Sequence, residues 1–448
     1  EIFFSCFDDL EDPRVDRTKK HLLSDIIAIS ICAVIAGCEH WEEIEDFGND
    51  HKAWFDNFLV LENGVPSHDT FSRVFSILDS KAFQEACLNW LAMVYELLPE
   101  GIIAIDGKTI RGSARKQSGL RGLHIINAWS CANSISLCQL KVTDKSNEIT
   151  TVPEVLKLLE LKGAIITMDA MGCQKESIKQ ICESDADYVV ALKGNQGLLF
   201  DTARETFNAI DQGSKASKLT TAIDEIDCEH GRIEQRKIDV VDTSELESVI
   251  NPEWKLLNSI ARITYLRSDK NSEFKEYRYY ISSLSPDKPE IIMKAIRSHW
   301  QVENCLHWSL DVTFSEDKSR IRDENAAINY SWLRKFALGL LKKDTTFKAS
   351  IKRKQKAAVQ THHHPIQGRR RNLLQLLQHP SHQNFWEAST GHQPPERRPV
   401  GYTYVFHLQP QNVASQTDYA HPSSPLAGRS LSRRRQSRWT RSVSGSLL

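Results

Sequence analysis

The chain has 448 residues, 40% of them hydrophobic and 26% charged, and a net charge of −1, which excludes a disordered or collagen-like polymer and leaves room for two or three globular domains. Its most apolar stretch, Ile26 to Cys38, is too short to span a hydrocarbon layer of ~30 Å and reads as a buried helix, so no membrane partner is expected. The ten cysteines show neither a CxxC pair nor regular spacing, which argues against a zinc ribbon or a disulfide framework and, with no secretory opening, fits reduced thiols in the cytoplasm.

From Lys19 to Leu98 the apolar residues repeat at helical spacing, as in Leu22, Ile26, Ile27, Ile31 and again Phe71, Val74, Phe75, Leu78. Residues 1–98 are therefore expected to form a helical N-terminal domain, serving DNA binding or acting as a purely structural bundle. The chain opens on Glu1 rather than Met, so a few native residues are expected to be missing. After Pro99 the pattern changes to short apolar runs. Gly101 to Asp106 reads as a buried strand ending in a carboxylate, followed by strands over Gly122 to Ser130 and Ile135 to Val142. A helix is predicted over Thr151 to Leu161, with Pro153 in its first turn. Ala164 to Asp169 is a second apolar run ending in Asp, then come a helix over Gln174 to Cys182 and a strand over Tyr188 to Leu192. The order β-β-β-α-β-α-β, with acids closing the first and fourth strands, matches an α/β fold with a ribonuclease H-like mixed sheet.

Between about Asn195 and Ser285 the pattern is β-like, notably over Arg232 to Val241, Ile260 to Leu266 and Tyr277 to Ser283, and is expected to be a β-rich insertion into a catalytic domain spanning 99–345. Helical spacing returns at Pro289, through Trp300 to Leu310, and at Asn325 to Lys343. Residues 346–448 are expected to form a basic, disordered tail. From Thr361 to Leu448 there are eleven Arg, no Lys and three acids, a formal charge of +8 against −9 for the rest. Almost no hydrophobic periodicity lies there, so disorder is expected, with sequence out of frame or fused from about 360; nonspecific DNA binding through Arg369 to Arg371 and Arg433 to Arg435 is the alternative.

Asp106, Asp169 and Glu303 form a carboxylate set suited to hard Mg²⁺, with Mn²⁺ as substitute, because a pair of divalent ions ~3.5–4 Å apart can serve both the attacking and the leaving oxygen of a phosphodiester. Each aspartate follows an apolar run, which places it at a sheet edge. Asp106 is followed by Gly107, Lys108 and Thr109 without the glycine-rich loop of a nucleotide-binding site, which excludes an ATPase; Lys108 is a candidate phosphate contact. His299, Glu303 and His307 recur every four residues on one helical stripe, where zinc is the rival to a polar face that touches phosphate or neighbouring carboxylates. Trp300 and Trp308 read first as core residues, with base stacking as the alternative. Further candidate DNA contacts are Arg111, Arg115, Lys116 and Arg121 after the first acid, Lys193, Asn195 and Gln196 after a later strand, and His230 with Arg232 in the insertion.

The runs Leu23 to Ile26, Trp41 to Gly48, Ile105 to Lys108, Ala191 to Gln196 and His299 to Asp311 closely resemble the H-repeat-associated transposases of the ISAs group of bacterial insertion sequences, over about Phe7 to Val359. The resemblance implies a DDE triad at Asp106, Asp169 and Glu303, an associated helical domain, Mg²⁺ as cofactor, and homo-oligomeric action on terminal inverted repeats and target DNA. Related insertion-sequence transposases carry an arginine four residues before the glutamate and a lysine seven after. Here those positions are His299 and Leu310, which leaves the hairpin-forming mechanism of those relatives open. A catalytically silent DNA-binding remnant and a ribonuclease H-fold nuclease without strand transfer are the competing functions. Asp311 and Glu316 are the alternative third ligands.

Overall fold

A computed structural model describes residues 2–95, 101–114, 121–143, 147–213, 218–224, 233–244, 252–268, 273–345 and 347–360. The tail from 361 on lies outside them, as do Arg115, Lys116, His230 and Arg232.

The N-terminal region is helical, as expected: α1 (Ile2–Phe7), α2 (Leu23–Ala36), α3 (Trp41–Asp50), α4 (Lys52–Phe55), α5 (His68–Ile77) and α6 (Ser80–Val94). Helix α2 is apolar on every side because it is buried on every side. That is why its composition approaches that of a membrane span, yet among the described residues no single helix is long and apolar enough to cross a bilayer. It stops at Gly37, whose φ of 103° lies in the left-handed region that ends helices.

A nine-stranded sheet follows, built from β1 (Ile102–Ile110), β2 (Leu123–Ser130), β3 (Ile135–Lys141), β4 (Ile165–Met168), β5 (Asp187–Leu192), β6 (Leu219–Ile223), β7 (Ile233–Asp242), β8 (Ser259–Ser268) and β9 (Glu273–Ser282). Their order is β3-β2-β1-β4-β5-β9-β8-β7-β6. The first three strands are an antiparallel meander and β1, β4 and β5 run parallel, which is the ribonuclease H-like arrangement. The β-rich insertion does not stand apart: β9 pairs antiparallel with β5 and carries the sheet onward through β8, β7 and β6.

Two elements depart from expectation. Helix α7 (Glu148–Lys157) starts three residues early because Asn147 and Thr150 form a reciprocal capping box, so Pro153 lies in its second turn. Helix α8 (Lys175–Glu183) is where the spacing placed it, but the start of the insertion is α9 (Gly197–Asp211), whose buried Leu199, Ala203, Thr206 and Phe207 keep helical spacing. After β9 come α10 (Pro289–Gln301), a π-helical turn over Val302–His307, α11 (Trp308–Val312), α12 (Glu324–Lys343) and α13 (Ile351–Gln360). The last of these corrects the expectation of disorder from 346: Gln355 and Ala358 are buried and α13 packs on α2 and α12.

Helix α12 joins the N-terminal helices to one side of the sheet. Its Tyr330, Trp332, Leu333, Phe336 and Leu340 share one continuous apolar core with Trp41, Phe71, Phe75 and Trp90 of the N-terminal helices. Trp41 stacks on Phe75 at 5.2 Å and meets Tyr330 edge-on at 4.7 Å. Asn329 Nδ2 donates to the Phe75 and Leu78 carbonyls at 2.9 and 3.0 Å, and Asn325 Nδ2 to those of Ser76 and Leu78 at 3.1 and 2.8 Å. Side chains of α12 thus satisfy the orphan carbonyls at the end of α5. Its other side packs on β3, where Lys335 Nζ donates to Gln139 Oε1 at 2.6 Å.

Candidate active site

Strands β1 and β4 pair in parallel with Ile105 opposite Met168. Asp106 and Asp169, one residue further along each chain, therefore emerge side by side where the two central strands part, the position at which an open α/β sheet forms a cleft. Asp106 is largely buried and Asp169 opens to solvent. Asp106 Oδ1 accepts the Gly107 amide at 2.9 Å; Asp169 Oδ1 accepts those of Met171 and Gly172 at 3.0 and 3.2 Å.

Glu303 arrives from the other end of the chain on the π turn. An α-helix widened by one residue re-aims the side chains that follow, and such turns concentrate at functional sites. The change brings His307 Nδ1 to 3.8 Å from Glu303 Oε2 and 3.6 Å from Asp106 Oδ2. One ligand atom from each of Asp106, Glu303 and His307 lies within 4.8 Å of the others. The zinc stripe does not form as one set. His299 Nδ1 is 3.1 Å from Thr167 Oγ1 on β4, and burial, with the His307 charge, pushes its imidazole down to about 4, so it is a neutral hydrogen-bonding ring.

The electrostatics are those of a site short of positive charge. Burial pushes the Asp106 carboxyl up to about 7; His307 opposes this and the Glu303 and Asp169 charges add to it. Burial raises Asp169 as well, whereas the neighbouring His307 imidazole holds Glu303 below the ordinary carboxylate range. Buried polar atoms without a hydrogen-bond partner gather here: His307 Nε2, and both side-chain atoms of Asn127, the residue paired with Asp106 across β1 and β2. Oxygen donors from carboxylates with one imidazole fit a hard divalent cation.

The outlying candidates separate clearly. Arg111 is 83% exposed and its Nε lies 3.5 Å from Asp317. Lys193 and Asn195 are exposed, but Asn195 Nδ2 donates to the Ala170 carbonyl at 2.7 Å and Gln196 Nε2 to that of Cys173 at 2.8 Å, so these two amides brace the loop after Asp169. Lys108 is largely buried between two carboxylates, Asp311 and Glu316. Trp300 and Trp308 are 47% and 49% exposed, which corrects the expectation of core residues. The buried face of α10 is made by Ile292, Met293, Ala295 and Ile296, and beyond it Leu306 and Leu310 are buried. The Trp300 ring carries the Arg278 guanidinium at 4.9 Å.

Sequence reasoning missed Asn127, His124 and Glu148. His124 Nε2 is 2.6 Å from Glu148 Oε1 and its Nδ1 is 2.8 Å from Thr109 Oγ1. A methyl group built on Gly107 would sit 2.6 Å from that same Glu148 oxygen. A histidine and an asparagine inside strands carry no pattern that distinguishes them from structural residues. Gly112, just past β1, has no room for a side chain either: a methyl there would lie 2.7 Å from the Asp317 carbonyl and would also press on that of Ser319. Gly112→Ala is expected to cost about 1–3 kcal/mol of stability, as overpacking against backbone does, measured by urea denaturation; a loss within error would show that the 316–319 turn shifts freely.

Residues 98–340 match the family description "Transposase DDE domain", and residues 4–91 match "DDE_Tnp_1-associated". The chain belongs to the DDE transposase family. "Putative transposase YncI" of Escherichia coli O157:H7 is 42% identical over 351 residues, 78% of this chain and 89% of the relative. "H repeat-associated putative transposase YhhI" of Escherichia coli strain K12 is 40% identical over 356 residues, 78% of this chain and 93% of the relative. A solved piggyBac transposase synaptic complex with hairpin DNA covers 89% of this chain and 82% of its own at a TM-score of 0.37 and 12% identity, too distant to add to the sequence match. The protein is an insertion-sequence transposase, an enzyme of DNA strand cleavage and transfer that uses divalent metal.

Proposed function

We propose that Asp106, Asp169 and Glu303 hold the divalent ions of this transposase, Mg²⁺ naturally and Mn²⁺ as substitute, and that it cuts at terminal inverted repeats and joins the freed 3′-OH to target DNA as a homo-oligomer in the bacterial cytoplasm, at the nucleoid. The supporting observation is the convergence of Asp106, Glu303 and His307 ligand atoms within 4.8 Å beside Asp169. Bound divalent metal supplies charge stabilisation to the attacking and leaving oxygens of the phosphodiester. The chain's own part is to fix those carboxylates on a rigid sheet edge and to brace the Asp169 loop through Asn195 and Gln196. Water attacks the phosphorus at the element end and the 3′-oxygen departs with a proton as a free hydroxyl; that hydroxyl oxygen then attacks a target phosphodiester, its proton passing to the target's departing 3′-oxygen, which leaves as a 3′-OH. The helical region to residue 98 serves DNA binding, and the catalytic body runs from 99 to 345.

The test is joining of a labelled element end to plasmid. Joining with Mg²⁺ or Mn²⁺, loss in EDTA and binding with little turnover in Ca²⁺ are expected. Cleavage without joining would make the protein a nuclease, and binding alone a silent remnant. Elemental analysis is expected to find no stoichiometric zinc; one zinc per chain would overturn the carboxylate site.

A further inference from the structure

Lys108 stands two residues beyond Asp106 on β1, so both side chains leave the same face of the strand. Its ammonium is only 10% exposed and pairs with Asp311 Oδ1 at 2.5 Å and Glu316 Oε2 at 2.9 Å. Both carboxylates belong to the segment that continues from the Glu303 turn: Asp311 lies in α11, and Glu316 opens the short helical turn Glu316–Lys318. Glu316 is fully buried, and its second oxygen accepts from Ser331 Oγ at 2.8 Å; Lys335 Nζ donates to that hydroxyl at 2.7 Å. Burial alone would push the Glu316 carboxyl up, but Lys108, Lys335 and Arg334 outweigh it and hold it down at about 2. The Glu316 arm of the clamp is therefore ionised, and it is anchored to α12. Glu303, by contrast, is 55% exposed, and its ion pair among the described residues is the 3.8 Å approach of His307. A side chain so loosely held depends on whatever fixes the helix behind it.

We propose that Lys108 is a positioning residue: clamped between Asp311 and Glu316, it locks the helical segment carrying Glu303 against the strand carrying Asp106, sets the spacing of those carboxylates for metal, and does not touch DNA phosphate. This rests on the assignment of Asp106 and Glu303 as ligands. Partners behind a metal's ligands govern its affinity by about 10–100-fold.

Asp311→Asn removes one arm of the clamp at its more exposed end and should fold. In an electron-paramagnetic-resonance titration of Mn²⁺ on the full chain without DNA, Asp311→Asn and Lys108→Met are expected to weaken binding by about 10–100-fold. DNA affinity in Ca²⁺ should stay within about twofold, with an unchanged dependence on salt, whereas loss of a phosphate contact would lower the log–log salt slope by about one. That lower slope, or unaltered Mn²⁺ affinity in the folded variants, overturns the proposal; if Lys108→Met fails to fold, Asp311→Asn decides alone. Glu303→Gln in the same titration separates the two inferences. If it keeps full Mn²⁺ affinity, the ligand assignment fails; if it loses affinity while Asp311→Asn keeps it, only the clamp fails.

Discussion

Asp106→Asn is expected to lower end cleavage by about 10³-fold or more while DNA affinity in Ca²⁺ changes by less than about tenfold, because metal stabilises charge mainly in the transition state and several kcal/mol are at stake there. The substitution keeps the volume and should leave the fold intact. Its effect on stability has a definite sign. The Asp106 carboxyl is pushed up to about 7 from an ordinary 3.8, so between those values the folded chain holds a proton that the unfolded chain has released. Metal-free stability therefore falls as pH climbs through that window. Asn removes this dependence, so above pH 7 the metal-free variant should melt no lower than the metal-free parent and should gain little on adding Mn²⁺. Single-turnover cleavage and thermal melting with and without metal check both halves. Cleavage retained within about tenfold would mean that Asp106 is not a ligand.

Glu316→Gln is expected to be the most damaging substitution for the fold, at about 3–5 kcal/mol, because it strips a fully buried carboxylate from Lys108 and leaves that cation and Lys335 short of compensation. The pH dependence follows from the depressed carboxyl. Held at about 2 against an ordinary 4.5, Glu316 contributes its full share above 4.5 and loses it as the pH falls toward 2. The parent's acid denaturation should carry this branch and the variant's should lack it. Urea denaturation across pH 3 to 8 measures both. A loss under about 1 kcal/mol, the size of an exposed ion pair, would show that Glu316 does not anchor the clamp.

The chain order of elements was legible because each carries its own period. Ile102 to Ile105 is an unbroken apolar run and Ile165 to Met168 is broken only by Thr167, as suits buried parallel strands, and both lead into the aspartates that the register then sets side by side. Burial of α2 followed from its length. Other features depend on partners far away in sequence. Lys108 read as a phosphate contact because its two carboxylates lie more than 200 residues on. Trp300 and Trp308 read as core because tryptophan is more often buried than not, and their roughly half-exposed positions depend on what packs beside them rather than on residue type. Pro153 was placed one turn too early because Asn147 was not recognised as the cap. Asn127 shows beside Asp106 only once β2 lies against β1, and the His124–Glu148 pair only once α7 lies against β2.

The central position of α12 bears on how a mobile element loses its gene. That helix, spanning Glu324–Lys343, completes the core of the N-terminal helices and also covers β3. A stop codon anywhere upstream of it therefore removes a segment that closes the core of the N-terminal helices and covers β3. Such an allele should yield polypeptide cleared by proteolysis rather than a shortened protein that occupies element ends and poisons intact copies in the same cell. Disrupted copies would then be recessive, and a genome could accumulate them without silencing the functional ones.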